Sequence, residues 1–155
     1  SGMHITMNGC SVYLEGGIAA GYDQGFEVHG SLAVKDGTSI AAADKTVKWG
    51  TIQVSDGGVL TAGGTSTPVV IKNARRGITA DSGSIVTLTG VELSGNETGL
   101  QIFGGSHVSL NSCSIINNEI YGVKEERNAE PEIDSETEIK NNARNYYSWD
   151  KALRK

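Results

Sequence analysis

The sequence predicts an all-β chain: a right-handed parallel β-helix of about six coils, with three short strands per coil. Three observations carry this. Gly77, Gly99 and Gly122 recur every 22 to 23 residues. Asn96, Asn118 and Asn142 mark a second recurring position. Between them, three short segments per unit alternate apolar and polar residues. A fixed period of this length is the mark of stacked units. Strict alternation over a few residues makes half-buried strands, not helices.

The units align from residues 77–96, 99–118 and 122–142. The first segment carries Ile78 and Ala80, then Leu100 and Ile102, then Val123. The second carries Val86 and Leu88, then Val108 and Leu110, then Pro131 and Ile133. The third carries Val91 and Leu93, then Cys113 and Ile115, then Thr137 and Ile139. The residues between are polar and face solvent, among them Thr79, Gln101, Lys124, Thr87, Ser109, Glu132, Glu92, Ser114 and Glu138. Stacked asparagines can hydrogen-bond along the axis and tolerate a left-handed corner. Glycine at the coil start would serve the same corner without a Cβ penalty. The first half is a looser version, with coils over residues 5–24, 25–47 and 48–74. At about 4.8 Å per coil the stack is roughly 29 Å tall.

The 155 residues make one domain. Ser1-Gly2-Met3 reads as an expression scar, residues 4–149 as a single β-helix domain and 150–155 as a C-terminal tail, a short helix or disordered. Hydrophobic residues are only 37% of the chain, which suits a thin column better than a sphere. No apolar run is long enough to span a membrane. The net charge of −5 argues against a general nucleic-acid binder. The acidic run Glu125, Glu126, Glu130, Glu132, Asp134, Glu136 and Glu138 reads as a solvated face. Cys10 and Cys113 fall four coils apart, roughly 19 Å along the axis. No intrachain disulfide is expected, because a bridge needs Cα atoms within about 7 Å.

The open ends of such a stack need covering. After Asn142 the coil pattern stops, and Tyr146, Tyr147 and Trp149 are expected to cap the last coil, the alternative being a sugar-stacking platform. The N-terminal end shows no comparable cap. It calls for shielding by another copy or by a flanking domain.

The segments Gly-Ile-Thr-Ala-Asp-Ser-Gly-Ser-Ile-Val-Thr-Leu-Thr and Ile-Ile-Asn-Asn-Glu-Ile-Tyr-Gly-Val resemble the repeats of the pectate-lyase-like superfamily of right-handed parallel β-helices. The stretch from Val47 to Val54, followed by Gly-Gly-Val-Leu-Thr-Ala-Gly-Gly-Thr, is similar to segments of large bacterial secreted and surface proteins. The resemblance covers roughly residues 25 to 149. It implies the fold, and a secreted or cell-surface location. It implies no single function, because the superfamily holds lyases, polygalacturonases, tailspikes, adhesins and noncatalytic modules. The Asp-Asp and Gly-His-Gly signatures of polygalacturonases are missing. The aspartates Asp56, Asp81 and Asp134 are scattered, unlike the clustered calcium ligands of pectate lyases.

The column Glu92, Ser114, Glu138 places two carboxylates about 9.6 Å apart, near the separation in inverting glycosidases. That spacing follows from stacking alone, so an exposed face is the plainer reading. The column Thr87, Ser109, Glu132 would enlarge any groove there. Arg75 and Arg76, with Lys124 two coils on, could hold a uronic-acid carboxylate bidentately. His4, His29 and His107 fall in different coils, and no metal or other cofactor is expected. Asn96-Glu97-Thr98 matches a glycosylation sequon, which reads as accidental because its asparagine belongs to the stacked column. The leading expectation is a noncatalytic module with a polysaccharide or a host or cell surface as partner. The alternatives are a polysaccharide lyase or glycosidase acting through outer-face carboxylates, and a trimeric tailspike-like structural domain.

Overall fold

The structure, a computed structural model, describes residues 4–14, 25–64 and 66–153. Residues 1–3, read from the sequence as a scar, and residues 15–24 of the first expected coil lie outside them. Among the described residues, eighteen short strands follow in order. Coil 1 holds β1 (His4–Met7), β2 (Ser11–Leu14) and β3 (Phe26–Val28), and coil 2 holds β4 (Ser31–Val34), β5 (Ser39–Ala42) and β6 (Ile52–Val54). Coil 3 holds β7 (Val59–Gly63), β8 (Val69–Lys72) and β9 (Arg76–Ala80), and coil 4 holds β10 (Ile85–Thr89), β11 (Val91–Ser94) and β12 (Thr98–Ile102). Coil 5 holds β13 (His107–Asn111), β14 (Ser114–Ile116) and β15 (Tyr121–Glu125), and coil 6 holds β16 (Glu132–Ile133), β17 (Glu138–Lys140) and β18 (Arg144–Ser148). A short helix, α1 (Trp149–Leu153), follows.

Every third strand joins the same sheet, giving three six-stranded sheets. Sheet A begins with β1, sheet B with β2 and sheet C with β3, and every pairing between consecutive coils is parallel. Like residues therefore stack on like. Leu32, Leu60, Val86 and Val108 form one inward column. Ile40, Ile71, Leu93 and Ile115 form another. Ile52, Ile78, Leu100 and Val123 form the third. All twelve are buried, each contributing roughly 1.5–3 kcal/mol of transfer free energy. Cys113 joins this core, and burial pushes its thiol up from the ordinary value. Both cysteines are free.

The corner between sheets B and C divides its work between two adjacent positions. Asn73, Gly95, Asn117 and Asn141 take the left-handed backbone conformation. The residue after each belongs to the hydrogen-bonded column. Asn118 Nδ2 donates to the Leu93 carbonyl (3.1 Å), while its Oδ1 accepts from the Asn96 backbone N–H and Nδ2 (both 3.1 Å). Asn142 repeats this one coil on, and Asn145 ends the series by accepting from Asn142 N–H and Nδ2 (both 3.1 Å). At the other end Ala74 leaves room for Trp49. The buried indole Nε1 donates to the Lys72 carbonyl (2.8 Å). The sequon reading stands: Asn96 is fully buried in this column.

Gly77, Gly99 and Gly122 do something other than the expected corner geometry. None takes a positive φ. A Cβ on Gly99 would sit 2.7 Å from the Gly122 carbonyl and 3.0 Å from Asn118 Nδ2. These glycines are needed because the next coil's backbone approaches too closely for a side chain.

Coil 6 departs from the expectation that the pattern stops at Asn142. Strand β18 continues it and pairs with β15. Alternation then sends the aromatics apart. Tyr146 turns inward onto Val123, while Tyr147 turns outward and sits with its ring 5.8 Å from that of Tyr121. Trp149 opens α1 and is 37% exposed. Only Tyr146 closes a core column, so the three do not form a joint cap or a joint platform. At the other end Ile5, in register with Leu32, is 44% exposed.

Glu125 is the second departure. It lies in register with Ile102 and Ser148, only 9% exposed, and so is not part of the solvated acidic face. Its carboxylate accepts from the Tyr146 hydroxyl and from Ser148 Oγ (3.3 Å). A buried carboxylate must be partnered in this way. The Tyr146 hydroxyl is pushed above its ordinary value, by burial first and then by Glu125.

Asn118→Ala orphans buried donors and acceptors on both sides and is expected to cost about 3–5 kcal/mol. Asn142→Ala, half-exposed, is expected to cost less, and urea midpoints with unchanged m-values would establish both. A loss under about 1 kcal/mol for Asn118→Ala would mean that the column does not tie the coils. Tyr146→Phe should cost about 1–3 kcal/mol at neutral pH by stranding Glu125. A raised folded-state value means the neutral hydroxyl stabilises the fold below about pH 10 and ceases to do so as pH rises through the folded value. The stability gap between wild type and Tyr146→Phe should therefore narrow in alkali, as measured by denaturation across that range.

Candidate functional site

The glycine in each first segment has a second effect. Sheet C pairs residues 98 with 121 and 100 with 123, and the close approach at Gly99 and Gly122 falls between them. Alternation slips there. Tyr121 and Lys124, three apart, reach the same outer face, with Lys124 Nζ 5.6 Å from the Tyr121 ring centre. Regular alternation would have put them on opposite faces.

A groove of about 260 Å³ opens on this face, lined by Arg75, Arg76, Glu97, Thr98, Gln101, Ile120, Tyr121 and Lys124. Three cations and one carboxylate line it, and a second carboxylate, Glu126, reaches Lys124 from beside it. The volume falls below the ~300–1,000 Å³ of sites that engulf a small molecule. Such a groove suits part of a longer ligand lying across the surface. Its floor is firm: Thr98 and Gln101 are buried, and Thr79 next to them bonds to Thr51 (2.9 Å between hydroxyls). Lys48 anchors the flank, donating to the Gly95 carbonyl (3.2 Å) and pairing with Glu119 (2.7 Å). Beyond the groove, Arg144 stacks 5.0 Å over the Tyr147 ring.

Of the residues singled out in the sequence, Arg75, Arg76 and Lys124 come together in this groove. Glu132 does not; it lies on sheet A beside Ser109. Glu92 and Glu138 are in one column on sheet B, with Ser114 between them. Each carboxylate is engaged by its own strand: Glu92 accepts from Ser94 Oγ (2.8 Å) and Glu138 pairs with Lys140 (2.6 Å). The column Thr87, Ser109, Glu132 belongs to sheet A, around the corner at Gly90 and Ser112, so it does not widen a sheet B groove. Among the histidines, His29 lies between Glu27 (2.9 Å) and Asp56 (3.3 Å), and the bond to Glu27 raises its value. Tyr121 was not singled out, because alternation alone does not bring it to the outer face; Gln101 and Thr79 were expected to face solvent, but both are buried, Gln101 under Glu126 and Thr79 bonded to Thr51.

Three parallel sheets wound from coils of this length, with an asparagine column at one corner, define a parallel β-helix. The family described as "Right handed beta helix region" matches residues 34–151, which is 118 of the 155 residues. The chain belongs to this right-handed β-helix family. No curated protein and no solved structure matches it.

Lys124→Ala removes a groove cation, and with it a partly buried ion pair to Glu126 and the contact with Tyr121. It should shift stability by less than about 1 kcal/mol. A larger loss in thermal unfolding would mark Lys124 as a structural residue of sheet C.

Proposed function

We propose that this chain is a noncatalytic module of a secreted or cell-surface protein, and that its sheet C groove binds an acidic polysaccharide. One observation carries the reading: Arg75, Arg76 and Lys124 converge there beside Gln101 and Tyr121. Guanidinium groups bind carboxylates bidentately. Buried amide and hydroxyl groups at the floor can meet sugar hydroxyls, and Tyr121 and Ile120 offer apolar surface to a sugar ring. The groove is open and firm, as a site for an internal stretch of a polymer should be.

The noncatalytic part rests on the carboxylates. Glycosidases need two, flanking one bond. Among the described residues lining this groove, Glu97 is the single carboxylate, and the neighbouring Glu126 is engaged by Gln101 and Lys124 rather than placed opposite Glu97 across a bound sugar. Glu92 and Glu138 face outward from another sheet.

The test is titration calorimetry against a panel of oligouronates and neutral oligosaccharides, with product analysis on each mixture. The expected result is binding of an acidic oligosaccharide without cleavage, weakened by salt. Arg76→Ala and Lys124→Ala should each weaken it by roughly ten- to a hundredfold, the loss of a charged hydrogen bond. Folded variants that bind as well as wild type would remove the groove from consideration. Cleavage of any uronate polymer would show the module to be an enzyme, with Glu97 the first carboxylate to replace.

A further inference from the structure

We propose that Glu126 occupies the place of the ligand's anionic group in this groove and so sets its selectivity for charged ligands. The inference rests on the reading of the groove as an acidic-glycan site. Glu126 Oε1 accepts from Gln101 Nε2 (3.0 Å) and lies 3.5 Å from Lys124 Nζ. Gln101 and Lys124 are both groove residues. A side-chain carboxylate thus already satisfies the two donors that an incoming carboxylate would use.

Glu126 N–H bonds the Ile102 carbonyl as Phe103 N–H bonds the Ala80 carbonyl one coil earlier. The equivalent residue there is a phenylalanine, which cannot accept a hydrogen bond. An acid stands at this position in coil 3 as well, where Asp81 N–H bonds the Val54 carbonyl and Asp81 Oδ2 accepts from Gln53 Nε2 (3.4 Å); in coil 5 a lysine, Lys124, faces the acid too. Glu126 also follows directly after Glu125, whose carboxylate is held inside the core by Tyr146 and Ser148. The inward anchor holds the strand end in place, and the next side chain along can face Lys124.

The contact is replaceable. Lys124 and Glu126 both keep a route to water, and at 3.5 Å their contact is longer than a strong charged hydrogen bond. A ligand carboxylate can take over both donors and release Glu126 to water. A neutral sugar cannot return a negative charge to Lys124, so for it the exchange is a net loss. Glu126 therefore lowers affinity for every ligand, and more for uncharged ones.

The experiment uses Glu126→Gln, which keeps size and an acceptor for Gln101 but removes the charge. With the tightest acidic oligosaccharide of the panel, the variant should bind about two- to fivefold more tightly than wild type, the range of a weak ion pair. Its affinity should fall more steeply with salt, because Lys124 is now unneutralised. In a Lys124→Ala background, Glu126→Gln should have no further effect. Unchanged thermal unfolding would show that the fold is intact. If wild type binds and the variant binds equally or more weakly, the inference fails while the groove reading stands. If neither binds any acidic oligosaccharide, the groove reading fails and this inference with it.

Discussion

The vertical hydrogen bond between successive asparagines is the constraint on which the other features depend. Asn118 is tied at once to the carbonyl of Leu93 behind it and to Asn96 beside it. Its own N–H is taken by Asn142 Oδ1 at 2.9 Å. The side chain cannot satisfy these partners unless each coil lies squarely over the last. Hydrophobic stacking alone would tolerate a slip, since a leucine packs about as well against one valine as another. The amide column does not tolerate it, because a slip strands several buried polar groups at once.

Fixed register explains why the glycines recur with the asparagines. The coil start passes so near the asparagine column that a methyl group would collide with the carbonyl of the next coil. That close approach disturbs alternation in sheet C and brings Tyr121 round to the groove face. The groove is therefore a by-product of the same corner that keeps the coils aligned. Its polar floor, Thr98 and Gln101, sits on β12, which is held between β9 and β15. A rigid floor lowers the ordering cost of binding an extended ligand.

Most of the fold was legible in the sequence because a repeat reports inward and outward faces together. Val86, Leu88, Leu93, Leu100, Val108 and Ile115 all point as alternation requires. The coil divisions at residues 25, 48 and 77 each enclose three strands. Three features were hidden, each for a physical reason. Glu125 looked like one more member of an acidic run, because its partners Tyr146 and Ser148 are far along the chain. Strand β18 lacks the aliphatic signature of the other units, since its core residue is a tyrosine. Tyr121 depends on a slip in alternation that only the coordinates reveal. Of the candidate site residues, basic pairs and lysines a whole number of coils apart could be brought together from spacing alone. Spacing also put Glu132 in its column with Thr87 and Ser109, but it could not show that the column's face is turned away from the basic residues, because that depends on the corner between the sheets.

Lys48 has a consequence for how the molecule comes apart. Stacked repeats generally touch only their neighbours, so they can fray one unit at a time from either end. Lys48 starts in coil 2 yet bonds Gly95 in coil 4 and Glu119 in coil 5. It is a strap across units that are not neighbours in the stack, laid over the corner where the left-handed residues lie. Loss of coil 5 would thus be felt at coil 2 without passing through coils 3 and 4. A chain of weakly linked units becomes, over this span, closer to one cooperative body.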